Sequence, residues 1–333
     1  MGDGPILPRL FPMPSSHLQP QLEPHFSGTI YTKFRNTFML VLQKSYIVVL
    51  SLAFMCPIWA SETSPYWAHK IGVQTNIAYG PNTQQSMDIF IQGSRLGEVE
   101  PGFEVDPEPS PLVIWIHGGG GIRGDKSTEI SWLVPYLRRG WNAVALNYRT
   151  GPGMAMKALD DVLCGYKRSL DVLESMNIIF DRIVVSGASA GGQLALLVGM
   201  TNTSGEHPCK LEYSPNAIVN WFGISDMESF IEYSREFNPQ KNDAALWIGE
   251  SPDKTKRIEA TSPLYFISDD TPPIISVHGD QDTRVPFDQA IALHESLDSQ
   301  NELITIQNGN HSGFSDQQYA EAYDAIFDFL EAL

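Results

Sequence analysis

Short apolar runs punctuate this chain at 112–117, 142–147, 182–187, 216–222, 273–278 and 303–307. Runs of that length without alternation predict strands buried on both faces. Between them, segments at 128–139, 155–176, 189–200, 286–299 and 316–331 repeat apolar residues at helical spacing. Strand and helix alternating in this way predict an α/β chain with a mostly parallel, doubly wound sheet, whose functional loops lie at the carboxyl ends of the strands. Two earlier segments, 71–79 and 86–91, alternate apolar with polar positions and predict an antiparallel pair at the sheet edge, making eight strands. Residues 98–111, with prolines at 101, 107, 109 and 111, read as a loop. The rhythm fails over 223–262, where Phe230, Ile231, Phe237, Trp247 and Ile248 stand among polar residues. That stretch reads as a small cap-like insertion beside the site, the plainer alternative being a surface excursion over a satellite hydrophobic cluster.

The first 60 residues stand outside the pattern. Prolines at 5, 8, 12, 14, 20 and 24 oppose helix there. The apolar run from Tyr46 to Met55, with Lys44 before it and Pro57-Ile58-Trp59-Ala60 after it, reads as a secretory signal peptide cleaved after Ala60, with translation starting at Met39. That core is short for a membrane span, so no stable anchor is expected, an uncleaved anchor being the alternative. The expected organisation is 1–60 as extension and signal peptide, 61–333 as one α/β domain with its insertion at 223–262, and a secreted or periplasmic location. Among the 333 residues, 42% are hydrophobic and 18% charged, enough to bury a large core. Lys and Arg number 22 against 39 Asp and Glu, and the net charge of −17 excludes nucleic acid or an anionic membrane held by general electrostatics.

Candidate chemistry gathers at the ends of the apolar runs. Gly187-Ala188-Ser189-Ala190-Gly191 joins a strand pattern to a helical one, as in a G-x-S-x-G nucleophile elbow. Such a turn exposes the serine hydroxyl and aims the N–H of Ala190, at the helix start, toward a developing oxyanion. His117-Gly118-Gly119-Gly120 follows the run at 112–116 and offers further backbone N–H donors, two of them from the 118–120 glycines. A phosphate loop is the rival reading, but no G-K-[ST] follows. Downstream, His278-Gly279-Asp280-Gln281-Asp282 and Asn308-Gly309-Asn310-His311 each follow another apolar run. His311 is the candidate general base, while His117, His278 and His294 read as structural or surface residues. Asp280 and Asp282 compete as its acid partner, with Asp226 as a variant choice. No H-E-x-x-H and no ligand spacing among the histidines occurs, so neither metal nor cofactor is expected. Cys164 lies in a helical pattern where a buried free thiol is expected, although an oxidising compartment would permit a bond to Cys209.

Taken together over about residues 71–331, these segments resemble the α/β-hydrolase serine esterases. The likeness is to the hormone-sensitive-lipase-like group and to bacterial carbohydrate esterases of the feruloyl and acetyl xylan kind. Asn147-Tyr148-Arg149, Asp160-Asp161-Val162 and Ser262-Pro263-Leu264 are similar to scaffold segments of that family. The resemblance implies an α/β-hydrolase fold and a serine carboxylic-ester hydrolase acting through an acyl-enzyme on small acyl or aryl esters, carbohydrate-linked ones included. It further implies Ser189, Asp282 and His311 as catalytic residues, and Gly119, Gly120 and Ala190 as oxyanion donors. Hydrolysis of macrolide lactones or formamides, or ligand binding without catalysis, remain readings compatible with the same fold. Gly121 departs from the family pattern, which places a bulky aromatic after H-G-G-G. Glycine leaves that volume open unless another side chain fills it, the candidates being Trp221, Phe222 and Phe314.

Overall fold

The structure, a computed structural model, describes residues 71–92, 109–201, 209, 213–237, 240 and 242–333. The N-terminal extension, the expected signal peptide and most of the 98–111 loop lie outside the described residues. Eight strands form one sheet: β1 (Ile71–Ala78), β2 (Ser86–Gln92), β3 (Pro111–Ile116), β4 (Asn142–Leu146), β5 (Arg182–Ala188), β6 (Ala217–Trp221), β7 (Ile274–Gly279) and β8 (Asn301–Ile306). Their spatial order is β1-β2-β4-β3-β5-β6-β7-β8. β2 runs antiparallel to both β1 and β4, and every other neighbouring pair is parallel. The helices are α1 (Ile130–Arg138), α2 (Ala155–Ser175), α3 (Ala190–Met200), α4 (Met227–Phe237), α5 (Asp243–Ile248), α6 (Lys254–Ala260), α7 (Asp288–Glu295) and α8 (Asp316–Glu331).

Alternation along the strands divides the core. Leu112, Ile114 and Ile116 of β3 pack with Leu159 and Val162 of α2 and Leu194 of α3. Val113 and Trp115 turn to the other face, with Leu133 of α1 and Ile326 of α8. Both faces are therefore dry, which is why the central strands read as unbroken apolar runs. Local signals set helix ends. Asn177, at φ 57°, closes α2: its own N–H reaches Glu174 O at 2.9 Å and the Ile178 N–H reaches Leu173 O at 3.0 Å, a Schellman pair. Ser315 and Gln318 form a reciprocal capping box at the start of α8. Because β3 lies between β4 and β5, the chain reverses its direction of travel across the sheet there. The loops that leave β3 and β5 part at this switch point, where an open α/β sheet has its crevice.

Among the described residues of 223–262 there are α4, α5 and α6 and no strand. α5 is seated on the glycine run after β3. Asp243 meets Arg123 at 3.0 Å, and Leu246 O accepts the Gly153 N–H at 2.9 Å. The side chain nearest Gly121 is Trp247, not Trp221, Phe222 or Phe314: a Cβ at 121 would lie 2.4 Å from the indole Nε1. The volume expected to stand open at Gly121 is thus taken by an aromatic ring delivered from far along the chain. Among the described residues no helix is long and apolar enough to cross a membrane.

The free-thiol expectation for Cys164 is corrected by the structure, in which Cys164 of α2 is disulfide-bonded to Cys209, 45 positions on. The helical pattern around Cys164 showed that α2 packs, but Cys164 itself is only part-buried and open to a partner. Closing a loop of this length typically stabilises a fold by about 2–4 kcal/mol, chiefly by restricting the unfolded chain. Thiol titration under denaturing, non-reducing conditions should find no thiol at Cys164 or Cys209, and the paired Cys164→Ser/Cys209→Ser variant should lower the unfolding free energy by that amount. A second expectation concerns Gly121, whose φ of +70° already disfavours any side chain. Gly121→Ala should cost at least about 1–2 kcal/mol for the left-handed backbone alone, with the Trp247 collision added. Thermal unfolding followed by circular dichroism measures it; an unchanged midpoint would contradict the packing described.

Candidate active site

The Ser189 turn is built by what its neighbours lack. Ser189 has φ 57° and ψ −123°, a region that costs a non-glycine residue about 1–3 kcal/mol. A Cβ on Gly187 would lie 2.4 Å from Gly191 O, and one on Gly191 would lie 2.1 Å from Ile116 O. Only hydrogen fits at either position, so β5, the first turn of α3 and the end of β3 close around the serine. Two backbone bonds hold the strained residue: Ser189 N–H to Trp221 O at 2.9 Å and Gln193 N–H to Ser189 O at 3.0 Å.

Ser189 Oγ lies 3.0 Å from His311 Nε2, and His311 Nδ1 lies 2.7 Å from Asp282 Oδ2. The loops after β5, β7 and β8 thereby bring the serine, the acid and the imidazole into one hydrogen-bonded line. Asn310 ties two of these loops together, its Oδ1 accepting from His311 N–H at 2.7 Å and from Thr283 N–H at 3.2 Å. The Phe222 ring packs on His311 with centroids 4.7 Å apart, held there by a backbone φ of 41°. Asp280 does not enter the line; its Oδ1 is buried with no hydrogen-bond partner among the described residues. Asp226 instead accepts the Glu228 N–H at 3.0 Å near the start of α4.

Asp282 is surrounded by donors. Oδ1 accepts the N–H groups of Arg284 and Val285 at 2.8 and 2.9 Å, while Oδ2 faces His311 and, at 3.3 Å, His278 Nε2. Burial alone would push this carboxyl up, but the bonds from His278, His311 and the Val285 backbone outweigh it and hold the carboxyl well below the usual range. Its contribution to stability is therefore complete above the ordinary value of about 3.9 and is lost only as pH falls through the lower folded-state value. Sequence reasoning set His278 aside as structural and missed Asn310. The one signal for His278 was its place four residues before Asp282 at a strand end.

The glycine loop after β3 faces this line. Gly119 and Gly120 have φ of 115° and 65°. A Cβ on Gly119 would lie 2.0 Å from Arg123 O, so a tight turn closed by Ile122 and Arg123 N–H groups on Gly119 O depends on glycine. Among the described residues no backbone carbonyl accepts from the N–H groups of Gly119, Gly120 or Ala190, which leaves these donors to the cavity. His117 anchors the loop, its Nδ1 2.7 Å from Gly118 O and its ring stacked on Tyr148 at 4.3 Å. Burial lowers the pKa of that imidazole, favouring the neutral form the stack accommodates. Gly119, Gly120, Ser189, Ala190 and His311 all open on a cavity of about 780 Å³. Trp132, Phe222 and Trp247 supply aromatic wall, and Arg123, Glu129 and Arg284 supply charge. Among the described residues no cluster of three or more His, Cys, Asp or Glu side chains could hold a metal ion.

Esterase LipC of Mycobacterium tuberculosis is 22% identical over 235 residues, spanning 66% of this chain and 54% of that protein. The chain spans about half the length of the curated relatives it matches. Among solved structures, a truncated carbohydrate esterase from gut microbiota superposes with a TM-score of 0.58 at 22% identity, covering 77% of this chain and 95% of that one. Esterase B from Lactobacillus rhamnosis gives 0.60 at 18% identity, covering 81% and 88%. These likenesses, with the strand order above, establish an α/β-hydrolase fold. The BD-FAE family model matches residues 104–297, a span that takes in the glycine loop, the Ser189 turn and Asp282, and the chain belongs to the BD-FAE family.

Proposed function

We propose that this chain is a serine carboxylic-ester hydrolase in which Ser189 is the nucleophile, His311 the general base and acid, and Asp282 the residue that holds the imidazole. The observation that carries this reading is the unbroken line from Ser189 Oγ through His311 to Asp282, set beside backbone donors in an open cavity. As Ser189 Oγ bonds to the ester carbonyl carbon, its proton passes to His311 Nε2 and the carbonyl oxygen takes up negative charge. The N–H groups of Gly119, Gly120 and Ala190 receive that charge, each worth about 3–4 kcal/mol in comparable sites. Collapse breaks the bond to the alcohol oxygen, which leaves with the proton from His311. Water then gives a proton to His311 and bonds to the acyl carbon, and Ser189 departs with that proton as the acid is released.

The substrate is a small acyl or aryl ester, and a carbohydrate-linked alcohol suits the cavity mouth. There Tyr233 and Phe237 of α4 stack at 5.6 Å with an interplanar angle of 12°, and Phe237 is 61% exposed. Both rings border the cavity and present flat apolar faces of the kind that receive the C–H face of a sugar. The names of two structural neighbours, a carbohydrate esterase and an acetyl ester-xyloside bifunctional hydrolase, point the same way. A secreted or periplasmic location is supported by the Cys164–Cys209 bond, which persists in oxidising compartments, and by the apolar run at 46–55.

A fluorophosphonate probe should label Ser189 in the intact chain and nothing in Ser189→Ala; absence of labelling would favour a binding protein of the same fold. Ser189→Ala and His311→Ala should each lower kcat at least about 10³-fold, and the double variant should be little worse than either because the residues act as one unit. Asp282→Asn should cost about 10⁴-fold by presenting the wrong hydrogen-bonding partner to His311. Rates on p-nitrophenyl acyl esters, measured beside acetylated and feruloylated oligosaccharides, identify the acyl and alcohol parts.

A further inference from the structure

β7 is apolar at Ile274, Ile275 and Val277, yet its next-to-last residue is a histidine whose side chain is wholly buried. Such a group costs free energy unless its ring nitrogens find partners. His278 Nε2 lies 2.9 Å from Val285 O and 3.3 Å from Asp282 Oδ2. A carbonyl and a carboxylate can only accept, so Nε2 carries the hydrogen and shares it between them. Nδ1 is buried with no hydrogen-bond partner among the described residues, and the ring meets Phe222 and Phe287 edge-on at 6.4 and 5.6 Å. The tautomer is therefore fixed by what each nitrogen faces.

The same contacts form a closed circuit. Val285 donates its N–H to Asp282 Oδ1 and accepts at its own carbonyl from His278, which also addresses Oδ2. Rotation of the carboxylate would break bonds at both oxygens at once. Oδ2 is the atom that receives His311 Nδ1–H, so whatever holds Oδ2 also aims His311. A second donor on Oδ2 additionally withdraws charge from it and moderates its pull on the imidazole proton.

Building on the proposed ester hydrolysis, we propose that His278 is a positioning residue that acts on the catalytic imidazole through Asp282, fixing the carboxylate and tempering its basicity. It touches no reacting atom. Its effect should appear in the turnover step and in the pH at which the general base becomes available, with substrate binding unchanged.

The test compares His278→Leu, which keeps much of the volume and removes the donor, with His278→Gln, whose amide N–H₂ can reach the place of Nε2. Losing one hydrogen bond to a charged group should lower kcat about 10-fold with KM unchanged. The acid limb of the kcat profile should move up by about half a pH unit, because a less-solvated Oδ2 binds the imidazolium more strongly. Glutamine should restore most of kcat and return the limb toward its original place. The other ionisable groups near the pair are Tyr233 on α4 and Asp280 and Arg284 on the loop of Asp282. None of them changes in either variant, so a moved limb reports residue 278. A leucine variant with unchanged kcat and acid limb would overturn the proposal, as would a glutamine variant no better than leucine. If leucine at 278 does not fold, the glutamine variant alone decides: a kcat lowered about 10-fold or more in that folded protein overturns the proposal. Failure of the parent chain to label at Ser189 or to hydrolyse any ester would instead count against the ester-hydrolase reading.

Discussion

Two missing side chains make the Ser189 turn possible. Strand β5, helix α3 and the end of β3 approach so closely that the Cα atoms of Gly187 and Gly191 stand against backbone carbonyls. The approach forces Ser189 into a left-handed conformation, and the buried, almost wholly apolar α3 holds it there. Burial at roughly 1.5–3 kcal/mol per large apolar side chain easily outweighs one strained residue. The same approach fixes the rest of the site. It points Ala190 N–H at the serine's surroundings, and it sets the spacing between the Ser189 turn and the loop that leaves β3.

That loop has its own constraint, because its N–H groups must face inward with nothing before them. Glycine provides the conformation, but glycine alone leaves the loop free to move. Rigidity comes from outside: from His117 stacked on Tyr148, from Asn147 bonded to Asp125 at 2.8 Å and to Lys126 N–H at 2.6 Å, and from α5 with Asp243 and Trp247. In the proposed reaction, donors held in this way need no reorganisation when charge develops. Asp282 follows the same logic, as a buried carboxylate made tolerable by donors at both oxygens.

Much of this was legible in the sequence for identifiable reasons. The central strands are dry on both faces, so their apolar runs stand out, and the observed strands fall within a few residues of the expected ones. That Ser189, an aspartate of the 278–282 turn and His311 would meet was legible because each follows such a run in a fixed order. The choice between Asp280 and Asp282 was not readable from spacing, since both lie on the same turn and only the direction of each side chain separates them. The disulfide stayed the lesser alternative because Cys209 lies between strand patterns with no periodicity of its own, so nothing local raised it above a free thiol. α7 ends at Glu295 rather than at 299; beyond it the Asn301 side-chain amide donates to Leu297 O at 3.4 Å and to Ser299 O at 2.9 Å, bonds that fall outside the helical ladder.

The contact between Gly121 and Trp247 shows most clearly where local reading ends. An absent side chain in one segment was read as open volume, yet the structure fills it with a ring from the insertion. A glycine reports only what its own backbone permits; what occupies the space beside it is decided by whichever element packs there. Here that element is α5, which also borders the cavity through Asp243, Ala244 and Trp247. The wall beside the glycine loop is consequently encoded in residues 243–248, outside every motif that identifies the chemistry. Chains that share the H-G-G-G and G-x-S-x-G segments can thus share a reaction while differing in the substrates they admit. Cavity shape in such chains must be read from the insertion and the loop together.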